Sequence, residues 1–323
     1  MNDRLHWSNV VGSMLDAMVA PAFGAAGYRI RAQGWRDDLS AADWRDRRFV
    51  VTGANTGVGF AAAAALAAQG ARVDLVCRDP GRGHAAVERL RSSLTAADLR
   101  LVLADLSDLG ATAAGVDQLI ADPTPIDAVI HNAGALFNER AMSVDGIERT
   151  FALHVVCPFA MTARLAPHLH PGARVVWVTS GGMYTQRLKV DELAAGAQRF
   201  DGVVAYAQCK RAQVEVMKRM QARAPGLVIS AMHPGWADTR GVREALPRFH
   251  RMTRWFLRDA AQGADTAVWL AAAEAAADAG GKLFLDRAPR AEHVPLAMTQ
   301  TPEDDVDALW ALCERLGGVA WPS

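Results

Sequence analysis

Between the short apolar run Arg48 to Thr52 and an alanine-rich stretch from Phe60, the chain reads Thr52-Gly53-Ala54-Asn55-Thr56-Gly57-Val58-Gly59. Glycines crowded into a strand-to-helix turn constrain the fold sharply, because they let the backbone take positive φ and let helix and strand approach closely. Glycine turns are common in general; one placed between a buried strand and a helix is informative. The turn also leaves free N–H groups at a helix start, where the helix dipole favours an anionic group such as a pyrophosphate.

The same alternation continues along the chain. Short apolar runs recur at Val73 to Cys77, Leu99 to Leu103, Ala128 to His131, Arg174 to Thr179, Val228 to Met232 and Lys282 to Leu285. Helical stretches lie among them at Phe60 to Gln69, Ala85 to Arg91, Gly146 to Leu165 and Ala205 to Arg223. Uniformly apolar short strands are buried on both faces, which predicts an α/β fold. The expected architecture is a Rossmann-type, doubly wound parallel sheet of seven strands in a single domain over residues 43–295. Residues 1–42 read as an N-terminal extension, 236–262 as a lid and 296–323 as a C-terminal helical tail.

Lys plus Arg equals Asp plus Glu at 35 each, and no long block of one sign occurs. No global field therefore favours nucleic acid, which is not an expected partner. Cys77, Cys157, Cys209 and Cys313 are scattered without zinc-ligand spacing, so no metal site is expected and the thiols read as reduced, in a cytoplasmic protein. The N-terminus lacks the pattern of a secretory signal. Val10 to Tyr28 is fairly apolar but is interrupted by Asp16, Pro21 and three glycines, which argues against a membrane span. A helix or arm packed on the domain is the first reading, and peripheral contact with a membrane surface the second.

The second strand ends Cys77-Arg78-Asp79, where a dinucleotide-binding fold reads the adenosine ribose. An acidic side chain there accepts from a 2′-hydroxyl, whereas the forked donor of Arg78 matches a 2′-phosphate, so NADP(H) is preferred over NAD(H). Asp79, one residue on, is able to pair with Arg78 or with a ribose. Asp105, followed by Leu106, is placed to accept from an adenine amino group or to cap the next turn. Tyr206 and Lys210 are four residues apart and so share a helix face. An ordinary tyrosine titrates near about 10, and an ammonium beside it moves it toward a useful acid/base range.

With these elements in order, the sequence resembles the short-chain dehydrogenase/reductase family over Arg48 to Leu285. The matching motifs are the Thr52 to Gly59 loop, Asn132-Ala133-Gly134, Ser180, Tyr206 with Lys210, and Pro234-Gly235. There is a closer likeness to the family's member-twelve-like branch in Ser180-Gly181-Gly182-Met183, Phe200-Asp201-Gly202, His233 to Thr239 and Ala261 to Thr266. The resemblance implies an oxidoreductase that exchanges a hydride between a nicotinamide dinucleotide and a small-molecule carbonyl or alcohol. It implies that Tyr206 exchanges the proton, Ser180 holds the substrate oxygen and Lys210 lowers the tyrosine pKa while binding the nicotinamide ribose. Asn132 would brace the sheet, and Pro234, Gly235, Trp236 and Thr239 would lie near the nicotinamide. Dimers through the fourth and fifth helices are common in such folds, so a homodimer is a further expectation.

Two positions depart from the family pattern. His154 stands where an asparagine usually holds a helix irregularity whose carbonyl binds a water in the proton path, and His131 replaces another usual asparagine. The first departure leaves open a slow or inactive dinucleotide-binding sensor or scaffold beside the enzyme reading. In the lid, Phe249, Met252 and Phe256 recur at helical spacing with Arg251, Arg254 and Arg258 on the other side. Such a helix could roof an apolar pocket for a lipophilic substrate, lie on an anionic membrane surface or pack on a second subunit.

Overall fold

The computed structural model describes residues 23–35, 39, 43–195, 200–238, 243, 247–293 and 299–322. Its centre is one sheet in the order β3-β2-β1-β4-β5-β6-β7-β8. The strands are β1 (Arg48–Thr52), β2 (Arg72–Cys77), β3 (Leu99–Leu103), β4 (Ile126–His131), β5 (Leu169–Val178), β6 (Val228–Met232), β7 (Leu283–Leu285) and β8 (Ala288–Arg290). The first seven run parallel. The eighth, three residues long, returns antiparallel to β7 and went unread in the sequence because Ala-Pro-Arg carries no apolar pattern. Its turn runs through Asp286 and Arg287, both at positive φ.

Helices cover both faces. They are α1 (Ala25–Ala32), α2 (Gly57–Ala68), α3 (Pro80–Ser93), α4 (Leu109–Ile120), α5 (below), α6 (Val190–Ala195), α7 (Gly202–Arg223), α8 (Pro247–Thr253), α9 (Ala260–Ala272) and α10 (Glu303–Gly317). α5 starts at Arg149–Phe151, widens into a π turn over Ala152–Val156 and resumes as Cys157–Leu165. Its start is capped by Glu148, whose carboxylate accepts from the Thr150 and Phe151 amides. One core lies between the sheet and α2, α3 and α9, where Phe49, Val51, Leu66 and Leu75 are fully buried. A second, under α5 and α7, holds Phe151, Phe159 and Trp177. The four cysteines are buried free thiols.

Strand order reverses between β1 and β4, and in open α/β sheets the crevice at the carboxyl ends of such strands is where ligands bind. At the opposite end, the fully buried Arg48 closes on Asp74 at 2.6 Å and on the Leu119 and Thr124 carbonyls, which pins the start of β1. The C-terminal helix α10 lies across α5, which carries His154, and α7, which carries Tyr206; these two correspond to the fourth and fifth helices of the family pattern, where dimer contacts are expected. Trp310 packs edge-on to Phe159 at 5.1 Å, and Arg219 pairs with Glu303 at 2.6 Å.

The lid departs from its reading as one helix through Arg258. α8 ends at Thr253, and the chain then turns back so that Arg258 bridges to Ala237 in parallel register. Arg258 is not on an exposed basic face; it is 1% exposed. Its guanidinium holds Asp286 at 2.5 and 2.9 Å and the Phe23 carbonyl at 2.9 Å. Periodicity places residues on a helix face only while the helix lasts, and this one stops a turn early. Among the described residues, no helix is long and apolar enough to cross a membrane.

Candidate active site

The glycine loop is built by close approach. Gly53 has φ +66°, and a Cβ there would lie 2.8 Å from the Ala133 Cα; a Cβ at Gly59 would strike the Asn132 side chain at 2.3 Å. Asn132 in turn donates from Nδ2 to the Thr52 carbonyl at 2.9 Å. The Thr52 hydroxyl accepts from the Asn132 and Ala133 amides at 3.0 Å each. β1, β4 and the start of α2 are thereby locked together, with Gly59 behind the loop. Thr56, the residue before α2, makes no side-chain cap, so the first-turn N–H groups stay open toward the crevice.

That crevice is a cleft of about 510 Å³. It gathers Gly53, Asn55, Thr56, Gly57, Val58, Arg78, Asp105, Leu106, Asn132, Ala133 and Gly134 with Ser180, Tyr206, Lys210, Pro234, Gly235 and Trp236. Of the remaining sites read from sequence, Gly59 packs beneath the loop, His154 stands behind Tyr206, and Thr239 lies outside the described residues. The cleft also takes in Arg82 and the wall Ala135-Leu136-Phe137, which the sequence reading did not name. Arg82 carried a legible signal, a second guanidinium one helical turn beyond Arg78.

At the adenosine end Asp79 lines the cleft together with Arg78 and Arg82. Its carboxylate caps α3 by accepting from the Arg82 amide at 2.7 Å. Asp105 caps its own turn, accepting from the Ser107 amide at 2.9 Å and hydroxyl at 2.7 Å. Arg78 is 3.8 Å from Asp105, and its side chain is 63% exposed.

At the other end, α7 is started by Asp201, which accepts from the Val203 and Val204 amides. A Cβ at Gly202 would meet the Phe137 carbonyl at 1.9 Å, so this helix start is pressed against the cleft wall. Tyr206 is half-buried. Burial pushes its phenol up to about 12, with the nearby Ser180 hydroxyl pulling the other way. Lys210 is buried, donates to the Val178 carbonyl at 2.8 Å and sits 5.3 Å from the Tyr206 ring centre. Burial draws its ammonium down to about 7. Ser180 starts a short turn, and its hydroxyl accepts from the Gly182 amide at 3.2 Å.

The π turn carries His154. A π turn leaves carbonyls outside the ordinary helical ladder. The His154 carbonyl accepts from the Gln213 side-chain Nε2 at 2.8 Å. The imidazole, wholly buried, meets the Tyr206 ring edge-on at 5.2 Å, and its Nε2 lies 2.8 Å from the Ala135 carbonyl. Burial and the Lys210 charge hold its pKa well below the ordinary 6.5, so the ring is neutral, and its Nε2 lies within reach of both the carbonyl and, at 3.3 Å, the amide of Ala135. The ring is accommodated by Gly134, where a Cβ would lie 2.5 Å from its Cε1. Among the described residues, no cluster of His, Cys, Asp or Glu is arranged to hold a metal.

Fold and cleft together define a dinucleotide-binding α/β protein with a serine, a tyrosine and a lysine at one end of the cleft. The family model for short chain dehydrogenases matches residues 47–248, and the chain belongs to the short-chain dehydrogenase/reductase family, a family of oxidoreductases. It is 38% identical over 273 residues to Dehydrogenase/reductase SDR family member 12 of Homo sapiens, covering 84% of this chain and 86% of the relative. It is 30% identical to Retinol dehydrogenase 12 of Homo sapiens, again over 84% and 86%. Among solved structures, an uncharacterized protein from Mycobacterium Paratuberculosis superposes with a TM-score of 0.72 at 27% identity, covering 90% of this chain and 100% of that one.

Proposed function

We propose that the chain is an NADP(H)-dependent oxidoreductase that interconverts lipophilic carbonyl compounds and alcohols. The observation that carries this reading is the convergence of Ser180, Tyr206 and Lys210 on the same cleft as the Gly53 to Val58 loop. The residues fit a dinucleotide. The loop has no room for a side chain at Gly53, and open helix N–H groups face the cleft for a pyrophosphate. One carboxylate oxygen of Asp79 is engaged in its cap, and Arg78 and Arg82 would be the charged donors for a 2′-phosphate. Asn55, Asp105 and Leu106 would hold the adenosine half. Asn132, Ala133, Gly134, Pro234, Gly235, Trp236 and Thr239 would hold the nicotinamide half, with Lys210 on its ribose.

When bound there, the nicotinamide supplies or accepts the hydride. Ser180 holds the substrate oxygen, and Tyr206 gives it a proton or takes one away. Lys210, near half-charged at neutral pH, favours the phenolate of Tyr206 when protonated. His154 is a positioning residue: it ties Ala135, and with it the cleft wall, to the helix behind Tyr206. The test is NADPH oxidation against a panel of lipophilic aldehydes and ketones. Turnover with at least one member supports the reading, and an inert protein that still binds NADPH supports a sensor or scaffold instead.

The lid favours peripheral contact with an anionic bilayer in the same enzyme. Met252 and Trp255 are each 77% exposed and Phe256 is 56% exposed, beside the exposed Arg251 and Arg254. Apolar side chains ringed by guanidinium groups suit a headgroup surface. Sedimentation with phosphatidylserine vesicles at low salt, reduced by Arg251→Gln with Arg254→Gln, supports the contact; an unbound parent protein overturns it. A homodimer through α5 and α7 would require α10 to leave, and we propose that the chain forms none across that face.

A further inference from the structure

The chain ahead of β1 reaches the substrate end of the cleft. The Phe23 carbonyl accepts from the Trp236 amide at 2.9 Å and from Arg258 at 2.9 Å, and the Ala25 amide donates to the Phe256 carbonyl at 2.8 Å. A buried ionic clamp secures this strap. Asp286 is held by Arg258 from the lid and by Arg31 from α1 at 2.6 Å. Arg31, Asp286 and Arg258 are 7%, 2% and 1% exposed, so the clamp is shut off from water and resists exchange.

The clamp sets the Phe23 ring. It stacks on His233 with centres 4.8 Å apart and planes 21° apart, and lies 6.2 Å from Trp236 at 26°. A Cβ at Gly181 would sit 3.0 Å from Phe23 Cε1. Gly181 follows Ser180, and Trp236 lines the cleft, so Phe23 stands at the carbonyl-holding end and away from the Arg78 end. It is only half-buried, and it lies beside the cleft-lining Trp236 without being among the lining residues of the cleft itself. His233 behind it is buried, and burial takes its pKa down to about 3, so the stack is uncharged.

We infer that the strap Phe23–Ala32 extends the cleft past Trp236 as a wall of the substrate chamber and that Phe23 is a specificity-determining residue, selecting carbonyl compounds whose substituent is flat and apolar. Nearly parallel rings offer a flat group a face to stack on, whereas a flexible alkyl chain gains less from that geometry. Phe23 precedes the segment matched by the family model, residues 47–248. The inference rests on the oxidoreductase reading and names the substrate class of that site.

The experiment compares parent, Phe23→Leu and Phe23→Ala with acetylnaphthalene and nonanal as substrates. The expected result is a KM for acetylnaphthalene raised about tenfold in Phe23→Ala. The kcat and the nonanal KM stay within about twofold, and Phe23→Leu falls between. An unchanged ranking, or equal losses on both substrates, overturns the inference. A second arm needs no turnover. All four native cysteines are buried, so in Phe23→Cys the new thiol is the accessible one. Maleimide labelling slowed by acetylnaphthalene with NADP+ supports the wall, and an unaltered labelling rate overturns it. A parent protein inert toward the whole panel refutes the oxidoreductase reading, while the labelling arm still decides the wall.

Discussion

Gln213 on α7 donates its side-chain amide to the backbone carbonyl of His154 at 2.8 Å, closing the π turn of α5 with a side chain. Both residues are buried, so the carbonyl has no recourse to bulk water if the donor is removed. Gln213→Leu is therefore expected to lower unfolding free energy by about 1–3 kcal/mol, the usual cost of an unsatisfied buried polar group. Urea denaturation measures it. Stability equal to the parent would show that the pair does not hold the turn.

Nucleotide preference follows from the guanidinium pair at the end of β2. Arg78→Ala should weaken NADPH binding by about 1.5–3 kcal/mol while sparing NADH, and Arg82→Ala should act in the same direction. Fluorescence titration of both nucleotides checks this. Equal affinities for NADPH and NADH in the parent would return Asp79 to the ribose and refute the Arg78 reading.

Much of this was legible in sequence for physical reasons that can be named. Strands buried on both faces must be apolar throughout, and a turn as crowded as Gly53 beside Ala133 tolerates only glycine, so both leave local marks. Tyr206 and Lys210 share a helix, and their spacing alone puts them together. What escaped depends on partners far along the chain. Arg258 reads as one more basic residue of an amphipathic helix until Asp286 and the Phe23 carbonyl bury it. Asp79 becomes a cap only because a helix begins at Pro80, and Phe23 meets Gly181 only once the chain is folded. The π turn at 152–156 leaves no mark in composition, and only the family resemblance points to a helix irregularity at His154.

Acid sensitivity should come from the buried histidines. Burial takes His131 and His233 down to about 3 and holds His154 low as well, whereas in the unfolded chain each titrates near the ordinary 6.5. Between those values the unfolded state binds protons that the native state refuses. These groups therefore contribute full stability above pH 6.5 and lose it progressively as pH falls toward 3. His131→Asn should reduce the slope of unfolding free energy between pH 6 and pH 4 by about 1.4 kcal/mol per pH unit. Urea titrations at several pH values measure that slope, and an unchanged slope would mean that His131 is protonated in the native state.

The central claim is that Tyr206 moves the proton while the glycine loop holds the nucleotide at the other end of the same cleft. Lys210→Ala should harm both turnover and NADPH binding, because one ammonium serves the phenol and the nicotinamide ribose. His154→Asn should keep or raise the rate, since its part is to position the wall at Ala135. The most direct measurement is the kcat of Tyr206→Phe on a substrate confirmed with the parent, taken beside its NADPH dissociation constant. The account predicts a fall of about a hundredfold or more in kcat with the dissociation constant nearly unchanged. Turnover by Tyr206→Phe at the parental rate would contradict it.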